Sequence, residues 1–148
     1  MDKSINLIGV FLWSTSLSAA TVQVPSGVAA LVAPVLKAHA AVAKHDTFAT
    51  EDVEEKAMEP LFAHRTPQTD EAIAVLLGFY LGEGPGEVLT CEAIARGKVM
   101  LPFIEKYERV EIVVPGVNHA KTRPSKTLYS RVRPSIEAGE DCKWDTED

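Results

Sequence analysis

Ten consecutive residues, Ala72-Ile-Ala-Val-Leu-Leu-Gly-Phe-Tyr-Leu81, carry no charge and leave no polar face on a helix. A helix that is apolar all round has to sit inside a shell of other elements. The run is too short to cross a bilayer, which takes about 20 apolar residues. Its cover must therefore come from the rest of the chain. With 148 residues, 46% of them hydrophobic, there is enough material for one core.

The flanking segments have the spacing of such cover. After Pro25-Ser26-Gly27, the residues Val28, Leu31, Val32, Val35, Leu36, His39 and Val42 recur at helical intervals, with Ser26 as N-cap. Pro34 falls inside this pattern and is expected to kink it or to mark a late start. Thr50 followed by Glu51 and Asp52 opens a second helix, with Val53, Ala57, Met58, Leu61 and Phe62 on one side, running to about Arg65 through Pro60. Thr66-Pro67 reads as an N-cap with proline at the first helical position, with Thr69 as the alternative cap.

Ala74, Gly78 and Gly82 lie four apart on the central run, a stripe of small residues open to close approach by a neighbour. Gly82-Glu-Gly-Pro-Gly86 then ends one helix and begins another, which carries Val88, Leu89, Cys91, Ile94 and Ala95, and the pattern resumes from Val99 to Tyr107. Val110, Ile112 and Val114 change to a period of two. They predict a strand if Thr21–Val24 supplies its partner, or otherwise an extended segment on the helices. The expected fold is a small all-α domain of about four helices in two stacked hairpins. It spans residues 21–114, with an extended segment at its end and a charged, loosely ordered tail over 115–148.

No charged residue occurs from Ser4 to Leu36. Within that run Ile5, Leu7, Ile8, Val10, Phe11, Leu12 and Trp13 form an apolar block, followed by Ser14, Thr15, Ser16 and Ser18, then Ala19 and Ala20. This is the order of a secretory signal, and Ser18 and Ala20 place small residues for cleavage before Thr21. The alternatives are a core element in a cytoplasmic protein and an uncleaved anchor, although the block is short for a span. The expected location is secreted or periplasmic, with no transmembrane span in the mature chain.

The net charge of −6 argues against a nucleic-acid binder, because phosphate neutralisation needs a basic face. The charge is unevenly spread. Residues 21–114 hold eight basic and fourteen acidic side chains, whereas Lys121, Arg123, Lys126, Arg131 and Arg133 form a basic stripe with no acid among them. Six acids against Lys143 follow from Glu137 onward. The stripe either pairs with the chain's own acids or docks on a partner.

No pattern carries a reaction, a metal set or a cofactor. The glycine-rich loop at 82–86 lacks the Lys and hydroxyl of a phosphate-binding loop, and Glu83 and Glu87 would repel an anion. His39, His45, His64 and His119 lack metal-ligand spacing, although His39, His45 and His64 with nearby carboxylates could assemble a site in space. Cys91 and Cys142 pair if the chain is exported, clasping the tail to the helices, and stay independent thiols otherwise. The expected function is that of an exported, non-enzymatic protein binding another macromolecule, such as an inhibitor, an immunity-type protein or an envelope accessory factor. The alternative is a small extracytoplasmic enzyme or metal-binding protein built on the histidines.

Overall fold

A computed structural model describes residues 20–45, 51–82, 84–117 and 127–142. In chain order the elements are β1 (Thr21–Gln23), α1 (Ser26–His45), α2 (Glu51–Phe62), α3 (Pro67–Leu77), α4 (Pro85–Arg96), a 3-10 turn (Gly97–Met100), α5 (Leu101–Tyr107), β2 (Glu111–Val113) and α6 (Thr127–Ala138).

The apolar run forms α3 and sits at the centre. Every residue of this helix from Thr69 to Leu77 is buried, and α1, α2, α4 and α5 all pack on it. Its start follows the sequence reading closely. Thr66 is extended (φ −119°, ψ 160°), its hydroxyl accepts from the Thr69 amide, the Thr69 side chain accepts from the Thr66 amide, and Pro67 opens the first turn. Two otherwise orphaned donors are thus satisfied reciprocally. The helix stops at Leu77, four residues short of the apolar run. Tyr80 stays buried beyond it, whereas Leu81 is 80% exposed.

Helix α1 packs on α2 and α3 on α4, and α1 packs directly against α3. Pro34 does not delay or end α1, which runs unbroken from Ser26 to His45. An internal proline costs about 3 kcal/mol. Burial of Val28 and Val32 before it, and of Val35 and Leu36 after it, offsets that cost. Gly86 lets the turn after α3 close tightly on α4, since a Cβ there would stand 1.7 Å from the Leu81 carbonyl oxygen.

The alternating segment finds the partner that its period requires. β1 and β2 pair in parallel, with Thr21 opposite Glu111, Val22 opposite Ile112 and Gln23 opposite Val113. The Glu111 amide donates to Ala20 O at 2.8 Å and the Val24 amide to Val113 O at 2.9 Å. Ile112 and Val114 enter the core.

One expectation needs correction. Residues 115–148 are not a loose tail throughout, because 127–138 form α6, whose Leu128, Tyr129, Val132 and Ile136 are buried in the main core. Their intervals of one, three and four make a narrow helical stripe among Arg131, Arg133 and Pro134, too thin to stand out against the polar surroundings. This helix packs mainly on α4 and α5, and it reaches two of the small residues, Ala74 on α3 and Gly82 beyond the end of α3. The Tyr129 hydroxyl donates to Ala74 O at 2.6 Å, and a Cβ on Gly82 would lie 3.3 Å from an Arg131 guanidinium nitrogen. Among the described residues, no helix is long and apolar enough to cross a membrane.

Candidate functional site

The two cysteines meet. Cys91, on α4, and Cys142, just past α6, form a disulfide with their Cα atoms 5.2 Å apart and their positions 51 apart in sequence. Gly139 makes the approach possible. It ends α6 at φ 67°, a left-handed conformation open to glycine. There the Gly139 amide donates to Ile136 O and the Glu140 amide to Ser135 O, turning the chain back towards α4. A cleft runs beside the bridge, lined by Phe62, Glu87, Val88, Glu92, Ala95 and Asp141.

A second cluster joins three elements around a buried carboxylate. Glu54 of α2 has a side chain only 3% exposed. Its Oε1 accepts from the Tyr80 hydroxyl at 2.8 Å and lies 2.6 Å from His39 Nδ1. The His39 and Tyr80 rings pack with centroids 4.3 Å apart. Such a contact orients the imidazole, directs Nδ1 inward and leaves Nε2 on the opposite edge. The His39 side chain is 41% exposed. Among the described residues no other histidine side chain joins it. His64 is exposed, and its carbonyl oxygen accepts from Thr69 and Arg96 elsewhere in the fold. The His45 side chain and all of His119 lie outside the described residues. Among the described residues no three His, Cys, Asp or Glu side chains are grouped to hold a metal ion.

The basic stripe divides. Lys121, Arg123 and Lys126 lie outside the described residues. Arg133 is engaged within the fold: its Nε donates to Glu108 Oε2 at 3.1 Å, its Nη2 meets Glu108 Oε1, and Nη1 stands 3.7 Å from Glu137. Arg131 is exposed beside the Gly82 turn.

Sequence reasoning missed the most heavily bonded side chain. Arg96 is fully enclosed and donates to Glu92 Oε1 (3.0 Å), Thr69 Oγ1 (2.9 Å), Asp70 Oδ1 (2.8 Å), Leu61 O (2.5 Å) and His64 O (3.0 Å). It ties the end of α2 to the start of α3 from α4. The one local signal for it is Glu92 at four residues' distance, which also reads as an ordinary exposed helix pair. Glu71 likewise accepts from the Tyr107 hydroxyl at 2.8 Å and from Lys106 Nζ at 2.5 Å.

All three tyrosines of the chain are buried donors. Burial pushes the Tyr80, Tyr107 and Tyr129 phenols far above their ordinary value. The hydrogen bonds from Tyr80 to Glu54 and from Tyr107 to Glu71 add to the shift, as does charge interaction with Tyr107 and Glu108 at Tyr129. The unfolded chain therefore releases these protons near pH 10 while the folded chain holds them. Above that pH the folded state binds more protons, so stability falls as pH rises, by as much as about 4 kcal/mol per unit if all three respond. Phenolate absorbance should stay low to beyond pH 10 and then rise in one step together with loss of helix. A smooth titration centred near pH 10 in the folded chain would contradict the burial of these groups.

No family model, curated protein or solved structure matches the chain.

Proposed function

We propose that this chain is an exported helical protein that acts by binding another macromolecule, as an inhibitor, immunity-type or envelope accessory protein does, after residues 1–20 are removed as a signal. The observation that carries the reading is the Cys91–Cys142 bridge, because disulfides persist in oxidising compartments and are rare where thiols are kept reduced. It agrees with the apolar block and small residues ahead of Thr21. Cleavage there would leave a mature chain starting on β1, the strand already paired with β2.

Intact mass measured after expression in the native host tests the first half. The expected species lacks Met1–Ala20 and is lighter by two hydrogens than its reduced form. A full-length, fully reduced chain would overturn export. Cross-linking in the same compartment tests the second half, and a stoichiometric adduct with another protein is expected. Recovery of the uncoupled chain alone counts against a binding role.

A second reading, a small extracytoplasmic enzyme, draws its support from His39, which is half-exposed and oriented by buried Glu54. A carboxylate on one ring nitrogen sets the tautomer so that the other can exchange protons with a substrate. Any activity found in the mature protein should then be lost in His39→Gln. Its retention removes this reading.

A further inference from the structure

We propose that the cleft beside the Cys91–Cys142 bridge is a docking surface for a partner protein, and that its occupant is a cationic segment presenting apolar side chains between Lys or Arg residues. The proposal rests on the binding reading above and names the chemistry of the partner.

The floor is apolar. Val88, Cys91 and Ala95 follow one face of α4 at intervals of three and four, a strip of about 10 Å along the helix. Phe62, from the end of α2, and the bridge to Cys142 line the cleft with it. An elongated strip of this kind fits a stretch of chain. Its volume of about 570 Å³ lies within the range of clefts that enclose a ligand.

The described rim has one sign of charge. Among the described residues, each ionisable side chain lining the cleft is acidic: Glu87, Glu92 and Asp141. Glu92 is held by Arg96 at 3.0 Å. Glu87 and Asp141 make no ion pair among the described residues and come from two separate segments, the first turn of α4 and the stretch beside Cys142. A phosphate or an acidic peptide would meet like charge there, whereas Lys or Arg would meet complementary charge from both segments. The bridge also fixes the second segment covalently before binding, which reduces the ordering cost of association.

The test uses the mature oxidised protein and a fluorescein-labelled amphipathic peptide built only of Lys and Leu, with a Glu–Leu peptide as its counterpart. Anisotropy should report binding of the first peptide and not of the second. Glu87→Lys should weaken binding by about tenfold or more, and Val88→Ser should weaken it without changing any charge. Glu105→Lys alters net charge equally at an exposed position of α5 and should change binding by less than about twofold. Circular dichroism confirms that each variant is folded. Equal weakening by Glu87→Lys and Glu105→Lys would show a general acidic field and overturn the site, as would failure of the Lys–Leu peptide to bind. A cellular partner cross-linking equally to wild type and Glu87→Lys would overturn the cleft and leave the binding reading standing.

Discussion

Replacing Arg96 with methionine is expected to destabilise the protein by about 3–5 kcal/mol, a large share of the roughly 5–15 kcal/mol that holds an ordinary domain folded. The side chain has no exposure to solvent, and its five N–H groups meet five acceptors. Methionine fills much of the volume and removes every donor. Asp70 and the Leu61 carbonyl would then stay buried without this donor, and that abandonment is the main cost. Arg96→Lys should recover little, because an ammonium cannot reproduce the planar fork that spans α2 and α3 at once. Urea unfolding at neutral pH measures the effect. A loss under about 1 kcal/mol would mean that the cluster behaves like an exposed ion pair.

The second large effect is expected at the bridge. Closing 51 residues with one covalent bond restricts the unfolded chain by about 4 kcal/mol in the chain-entropy treatment, with smaller values common in practice. The double variant Cys91→Ala with Cys142→Ala should lower the urea midpoint accordingly. Its hydrogen exchange should rise first in α6, whose C-terminal end the bridge secures. Identical midpoints for oxidised and double-variant protein would show that packing of Leu128, Tyr129, Val132 and Ile136 alone holds that helix.

The two cases differ in how far the sequence foretells them. The bridge was legible as a pairing conditional on export, since two cysteines allow one intramolecular connectivity. Arg96 was not legible, because its acceptors come from residues 61, 64, 69, 70 and 92, and two of them are backbone carbonyls that leave no trace in residue types. The same holds for Glu54, whose neighbours His39 and Tyr80 meet it only after α1, α2 and α3 have packed. The centre of the fold was readable because ten apolar residues in a row admit few placements, and the capping pair Thr66–Thr69 because it is local. Helix α6 escaped detection for an intermediate reason. Its apolar stripe exists in the sequence but holds only four residues among polar and charged neighbours, with Pro134 falling between its last two.

The pairing of β1 with β2 bears on the order in which the chain matures. Thr21 lies opposite Glu111, ninety positions later, and most of the helical body intervenes. Synthesis at about 5–20 residues per second leaves Thr21–Gln23 waiting for several seconds before its partner exists. Helices α1 to α5 can assemble during that interval from contacts between near neighbours, while the strand pair must close the longest loop among these elements. Among the elements up to β2, the first to emerge is thus the last able to find its place. Anything attached ahead of Thr21 is held at a seam that seals only when nearly the whole domain has been made.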